Sequence, residues 1–399
     1  MVGKRSGFDR RNFLKHGLLG AAGIGAFASL PSALKGANQA GAAAPQGQTK
    51  KEGLITRKLG KTGVILPVVS MGVMNSDNDG LVKAALDAGL IHLDTAHGYM
   101  RGRNEEMIGR VIKDKPRDSY FIATKVPPTN AQRFLEMVDL SLKRLGLDHV
   151  DILYVHGVDD RDAVLSVSTM KAVETAKKSG KARFVGVSTH SNEHEVIRAV
   201  VESKFYDVVL AAYNFKKNNL VELNKAIAEA AKAGVGLIAM KTLAGNDFDS
   251  GGGKGSGAKA ALKWALSNPD ITTAIPGMTA FDQLELDVQV ARDISLTDEE
   301  KKILKLVPEQ GGLYCQQCNG CLPQCPNGLP IPSLMRSYMY AFGYKNFGEA
   351  YDLVASLRVP ENPCGNCAGC TVKCVQGFNV RERVTDIARL QAVPAHLFA

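Results

Sequence analysis

Beyond its first fifty residues the chain alternates between short apolar runs and longer amphipathic stretches. The apolar runs cover 66–71, 90–94, 120–125, 152–156, 184–188, 208–213, 235–240 and 271–275, and each reads as a buried strand. Between them, 131–145, 162–179, 220–233 and 258–267 repeat their apolar residues at helical spacing. Gly89, Gly146, Gly180 and Gly234 follow helical stretches, where a left-handed terminal residue is favoured. Eight strands alternating with helices across 54–307 predict an α/β fold, a (β/α)8 TIM barrel. The competing doubly wound sheet would carry a glycine fingerprint after its first strand, and none stands there. After 307 the strand rhythm stops. Helical segments at 333–341 and 347–357 predict that 308–399 is a small, mainly α-helical domain.

Several apolar runs end in reactive side chains. The second closes on Asp94, the third on Lys125 and the fourth on His156, and Tyr99 follows Asp94 just before a helix that starts near Asn104. In a parallel barrel all strand ends open on one rim, where catalytic groups gather. A lone lysine there would be an ordinary ion-pair partner, and a lone histidine a core residue. Four ionisable groups on one rim make a candidate acid/base site. A phenol has a pKa near ~10, too high to exchange protons readily at neutrality, and a nearby buried ammonium lowers it. Asp94 can hold the Lys125 ammonium, and a neutral His156 can orient a substrate oxygen. The set suits proton transfer to or from a carbonyl or alcohol oxygen.

Charge is unevenly placed. Residues 1–44 hold Lys4, Arg5, Arg10, Arg11, Lys15 and Lys35 against Asp9 alone, so most of the formal +9 sits in this short stretch. What remains is weak evidence for a polyanion, and no nucleic-acid partner is expected. Asp9-Arg10-Arg11-Asn12-Phe13-Leu14-Lys15 precedes an apolar, Gly/Ala-rich run over 17–30 that is short for a membrane span. This resembles a twin-arginine export signal, with Asp9 in place of the usual Ser or Thr. The resemblance implies the Tat machinery as a partner and a periplasmic or extracytoplasmic protein. An uncleaved signal would leave it membrane-anchored; a cleaved one leaves no integral membrane segment. Residues 1–44 read as this signal and the start of a linker, and 45–53 as the rest of the linker. Gly23-Ile24-Gly25-Ala26-Phe27-Ala28 fits a dinucleotide glycine pattern but lies in the signal with no preceding strand.

All eight cysteines lie after residue 314. Cys315, Cys318, Cys321 and Cys325 repeat their spacing at Cys364, Cys367, Cys370 and Cys374, with Pro326 after the first run and Val375 after the second. Zinc sites usually use separated pairs, and export would permit disulfides. The doubled spacing resembles bacterial ferredoxins and implies two [4Fe–4S] clusters. By that resemblance Cys315, Cys318, Cys321 and Cys374 would hold one cluster, and Cys364, Cys367, Cys370 and Cys325 the other. The long connection between the runs favours a helical ferredoxin-like arrangement.

Residues 54–293 resemble the aldo-keto reductase family. The opening Arg57-Lys58-Leu59-Gly60-Lys61-Thr62-Gly63 looks like its N-terminal hairpin, and Asp94-Thr95-Ala96-His97-Gly98-Tyr99 with Asn104-Glu105-Glu106 looks like its first signature. Ala123-Thr124-Lys125, Leu153-Tyr154-Val155-His156, Gly186-Val187-Ser188, Tyr213-Asn214 and Ile275-Pro276-Gly277 follow in family order. The resemblance implies Tyr99 as general acid, Lys125 and Asp94 as the groups that tune it, and His156 as the residue that orients the carbonyl. NAD(H) or NADP(H) would supply the hydride. Carried over position by position, cofactor contacts fall on Ser188, Tyr213, Met240, Lys241, Leu243, Gly277 and Thr279. The match loosens here: Thr189 and Leu210 replace the family's amide-binding Asn and Gln, Met240 replaces a stacking aromatic, and Thr279-Ala280 and Leu286-Asp287 replace the adenosine contacts. Lys254, in a Gly-rich loop over 250–257, is a further candidate for a pyrophosphate.

Two functions follow. One is an exported oxidoreductase interconverting a small carbonyl and an alcohol, its clusters exchanging electrons with a redox partner protein. The other is an electron-transfer or ligand-binding module on the same scaffold without hydride chemistry.

Overall fold

The computed structural model describes residues 49–51, 53–244, 255–306 and 314–398. The proposed export signal and Lys254 lie outside these residues. Strands β1 (Thr49–Lys51), β2 (Leu54–Lys58) and β3 (Ile65–Pro67) pair antiparallel. The turn between β2 and β3 drives Leu59 and Leu66, both fully buried, into the base of the barrel. Arg57 ties this floor to the wall: its guanidinium donates to the carbonyl oxygens of Leu266, Asn268 and Ile271.

The wall is eight parallel strands: β4 (Met71–Gly72), β5 (His92–Asp94), β6 (Phe121–Val126), β7 (Val150–Val155), β8 (Ala182–Thr189), β9 (Val208–Ala212), β10 (Gly236–Met240) and β11 (Thr273–Ala274), in that spatial order. The ends meet. Ser70 N donates to Ala274 O at 2.8 Å, Ala274 N to Val68 O at 2.9 Å and Gly72 N to Pro276 O at 2.9 Å. Closure leaves no free sheet edge. The run at 66–71 thus divides: Leu66 belongs to the hairpin, Val68 to Ser70 bridge to Ala274, and Met71 opens β4.

Alternation along each strand separates two cores. Phe121, Ala123, Ile152, Tyr154, Val208, Leu210, Ile238 and Met240 fill the barrel. Leu93, Ile122, Leu153, Val155, Val209 and Leu237 face the surrounding helices. Those helices are α1 (Asp79–Asp87), α2 (Arg103–Ile112), α3 (Ala131–Leu145), α4 (Arg161–Val164), α5 (Val167–Lys178), α6 (Glu193–Ser203), α7 (Leu220–Lys232), α8 (Ser256–Ser267), α9 (Phe281–Arg292) and α10 (Asp298–Leu306). In α3, the Asn130 side chain caps the first turn, Phe134, Val138, Leu142 and Leu145 form the buried stripe, and Gly146 ends it in a left-handed conformation. The stretch 162–179 is two helices, because Ser166 caps a new one.

The cysteine-bearing segment contributes α11 (Ile331–Tyr338), a wider π-type turn at Met339–Gly343, α12 (Phe347–Ser356) and α13 (Val380–Ala388). Its core of Leu334, Met335, Met339, Ala350, Val354, Val384 and Ile387 also takes in Ala244, and Met74 and Phe215 pack against it. These three belong to loops that leave the C-terminal ends of barrel strands, so the segment docks on the rim that carries the polar residues. Pro45–Ala399 form one compact unit. Among the described residues no helix is long and apolar enough to cross a membrane.

Gly186 shows how tightly the interior is filled. A Cβ there would stand 2.3 Å from Val208 O and 2.9 Å from the Tyr154 ring. Gly186→Ala is expected to lose about 1–3 kcal/mol of stability by overpacking, read as a lower urea midpoint. An unchanged midpoint would show that the barrel relaxes around the methyl group.

Candidate active site

The strand ends deliver Asp94, Lys125 and His156 to one point. Lys125 Nζ donates to Asp94 Oδ1 at 2.5 Å and to Thr95 O at 2.6 Å. Both side chains of the pair are almost fully buried. Burial pushes the Asp94 carboxyl up and the Lys125 ammonium down, and each charge opposes the shift of the other. Tyr99 leans over this pair, with Lys125 Nζ 4.9 Å from its ring centroid. His156 meets Tyr99 edge to face at 5.9 Å. Burial first, then the charges of Lys125, Arg336 and Lys241, push the His156 imidazole down to about 3. It is a neutral ring at neutral pH.

The sequence pointed to a Tyr99 phenol lowered by Lys125. The structure reverses the direction: its pKa is raised well above the ordinary value, by burial first and then by Asp94, Tyr340, Glu349 and Tyr344. Lys125 directs its protons at Asp94 and at a carbonyl oxygen, and its ammonium lies against the phenol's ring. Tyr99 therefore holds its proton firmly, the state a general acid needs before it gives one up.

The loop carrying Tyr99 is fixed from both sides. Thr95 Oγ1 donates to Asn104 Oδ1 at 2.6 Å, and Asn104 Nδ2 donates to Val73 O at 2.7 Å. Buried Glu105 accepts from Thr124 Oγ1 and from Arg144, which also donates to His97 O. Gly102, at φ +96°, leaves room for that arginine: a Cβ would fall 2.2 Å from Arg144 Cζ. On the outer side Arg101 donates through both Nε and Nη2 to the Asp352 carboxylate of α12. No pattern in the sequence signals this clamp, or the rim-side placement of Arg336, Tyr340, Tyr344 and Glu349.

The residues proposed for the cofactor separate. Ser188, fully buried, accepts from Gly157 N at 3.0 Å, which leaves its hydroxyl proton to offer. Met240 lines the barrel interior, and Gly277 is exposed, with only Gly72 O, at 3.9 Å, near where a Cβ would stand. These fit the nicotinamide end of a dinucleotide. Thr189 spends its hydroxyl on Ser191 O, and Leu210 offers no hydrogen bond. Thr279 is exposed and bonds Gln283 of α9 through both N and Oγ1. Leu243 packs with the helix-side core. Tyr213 does not face the rim: its ring stacks on Trp264 and its hydroxyl donates to Asn224. Lys241 stands between the rings of Tyr340 and Tyr344, 4.8 Å from each centroid.

Cys315, Cys318, Cys321 and Cys374 line one cavity. Burial raises Cys315 to about 11, helped by Cys374 and Cys318, and raises Cys321 to about 12, helped by Cys315, Cys318 and Cys374. Cys364, Cys367 and Cys370 sit within electrostatic reach of one another. Asn327, two residues after Cys325, reaches Cys367 Sγ at 3.4 Å and Pro363 O at 3.0 Å. Among the described residues no three His, Cys, Asp or Glu side chains converge closely enough for a single metal ion. A four-iron cluster is wider than an ion and takes its thiolates from further apart, so that finding bears on a single ion alone.

His92 lies beneath Lys125, with both ring nitrogens buried and unpartnered. Burial, then Lys125, pushes it down to about 3. A histidine whose folded pKa is depressed adds stability above its unfolded value of ~6.5, lost as pH falls toward the folded one. Glu349, raised to about 7 by burial first, works in the opposite sense. The stability advantage of His92→Phe over wild type should therefore grow from pH 6.5 to pH 4 in parallel melts. A constant difference would mean that His92 is protonated in the folded chain.

Residues 72–253 match the sequence profile of the Aldo/keto reductase family. The L-glyceraldehyde 3-phosphate reductase of Escherichia coli (strain K12) is 27% identical over 312 residues, 61% of this chain and 89% of that enzyme. The aldehyde reductase YPR1 of Saccharomyces cerevisiae is 33% identical over 217 residues, 47% of this chain and 68% of that enzyme. The structure of aldo-keto reductase AKR11C1 from Bacillus halodurans shares the fold, with a TM-score of 0.53 at 22% identity over 64% of this chain and 96% of that one. With the strand-end residues gathered as described, this chain belongs to the aldo/keto reductase family and is an aldo-keto reductase-like oxidoreductase that works with a nicotinamide cofactor.

Proposed function

We propose that this chain interconverts a small carbonyl and its alcohol, and that its C-terminal segment holds two [4Fe–4S] clusters that exchange electrons with a partner protein. The observation that carries the first part is a firmly protonated Tyr99 beside a neutral His156 and above an Asp94–Lys125 pair. A carbonyl oxygen between Tyr99 and His156 accepts a hydrogen bond from each. As negative charge grows on that oxygen, Tyr99 passes it a proton. The Lys125 ammonium beside the ring then stabilises the phenolate left behind. Asp94 and Thr95 O hold the ammonium still while this happens. A bound nicotinamide supplies the two electrons as hydride; Ser188, Met240 and Gly277 would hold its reactive end.

The cavity lined by Cys315, Cys318, Cys321 and Cys374 supports the cluster reading, since it joins three thiols of one run to the last thiol of the other. The arginine pair at Arg10-Arg11 supports export. The two fit together, because twin-arginine export carries folded proteins and clusters are inserted before departure. An extracytoplasmic site lacks a free nicotinamide pool, so the dinucleotide would travel bound and be regenerated in place. The second reading, an electron-transfer or binding module, draws on Thr189 and Leu210, which weaken the grip on the carboxamide.

Tyr99→Phe is the test. With a short-chain aldehyde as substrate, turnover should fall about 10²–10⁴-fold, with the melting curve and visible absorbance of the holoprotein unchanged. Undiminished turnover would remove Tyr99 from the proton path.

A further inference from the structure

The C-terminal segment does more than cover the barrel. Arg336 of α11 reaches over the rim, and Tyr340 and Tyr344 follow from the turn after it. Lys241, just after β10 and with a left-handed backbone at φ +57°, lies against the two rings. Its Nζ lies 3.4 Å from the Tyr344 hydroxyl. Arg336 Nη1 is buried and has no hydrogen-bond partner among the described residues. A guanidinium head in that condition is costly unless something absent from the chain pairs with it.

The two cations lie within electrostatic reach of each other. After burial, the charge of Arg336 is the strongest influence on Lys241, pushed down to about 7. Both also act on His156, the residue beside which a carbonyl would lie. Two carboxyls are within electrostatic reach. Asp159 leaves Oδ1 buried and unpartnered, so it does not close on the equally unpartnered Arg336 Nη1. Glu349, raised to about 7 by burial and Asp352, is about half protonated near neutrality and only partly offsets the cations. Asp94 is committed to Lys125. Arg336, and Lys241 in the fraction that keeps its proton, thus bring positive charge within electrostatic reach of His156.

We propose that Arg336 and Lys241 receive the carboxylate of the substrate, which makes the substrate class a 2-oxo acid and its 2-hydroxy acid; this rests on the carbonyl chemistry assigned above. The planar fork of arginine matches a carboxylate, and the lysine adds a point charge on the other side. The nearness of both cations to His156 sets the carboxylate next to the carbonyl carbon.

The experiment uses the anaerobically purified, cluster-bearing full chain with 2-oxobutanoate and butanone, a pair that differs in the carboxylate. The kcat/KM for 2-oxobutanoate should exceed that for butanone by about 10–100-fold. Arg336→Gln should erase most of that ratio through KM, Arg336→Lys should retain part of it, and Lys241→Gln should also reduce it. Calorimetric binding of 2-oxobutanoate is read alongside. Saturable binding abolished by Arg336→Gln, with no turnover of either compound, would uphold the anion site and sink the carbonyl chemistry. Equal kcat/KM for the two compounds in wild type, untouched by Arg336→Gln, would overturn the anion site and leave that chemistry standing. Loss of NADPH or NADH binding in Arg336→Gln without loss of 2-oxobutanoate binding would also overturn it, as would a preference for glyceraldehyde 3-phosphate over 2-oxobutanoate that Arg336→Gln removes.

Discussion

An ammonium placed inside a barrel must be paired where it stands, and the site is built around that need. Lys125 is 1% exposed, and its neighbours are chosen by it: a carboxylate from the preceding strand, a backbone carbonyl from the next residue, and an aromatic ring above. Removing Asp94 would strand the charge, and a stranded buried charge costs about 3–5 kcal/mol. The same charge reaches down to His92 and across to His156, and helps keep both imidazoles neutral. The neutral imidazole, the protonated phenol and the nearby cation are thus parts of one electrostatic arrangement.

The C-terminal segment completes that arrangement from outside the barrel. Asp352 clamps Arg101 and so the Tyr99 loop, Lys217 is buried against Glu193 and donates to Gln316 O beside Cys315, and Asn319 bonds Asn192. The first cysteine run is therefore hydrogen-bonded to barrel loops. Cluster and carbonyl chemistry would differ in stride: a hydride carries two electrons together, and each proposed cluster would pass one. Under the proposed function the redox partner would supply the bridge between the two, or the clusters would brace the roof.

The sequence carried the barrel well, because parallel strands bury both faces and stand out as apolar runs. Asp94, Lys125 and His156 were legible for the same reason: each is a polar break at the end of such a run. Strand parity was not legible. In a run apolar on both faces nothing marks which side a residue takes, so Tyr213 could be assigned to the cofactor although it faces the helices and stacks on Trp264. The direction of the Tyr99 shift was also hidden, since it depends on where the Lys125 protons point. Arg336, Tyr340 and Tyr344 read as ordinary helix residues; only folding sets them beside Lys241, about a hundred positions earlier. The cysteine pairing across the two runs came only from the ferredoxin resemblance; in the structure Cys315, Cys318, Cys321 and Cys374 line one cavity.

The central claim is that one chain joins a nicotinamide-dependent carbonyl site to two clusters. Anaerobic purification of the folded, signal-bearing protein, with iron, acid-labile sulfide and released nucleotide quantified together, tests it most directly. About eight irons and about one nicotinamide dinucleotide per chain are expected. Eight irons with no nucleotide, and none bound on addition, would contradict the oxidoreductase and favour an electron-transfer or binding module on the same barrel.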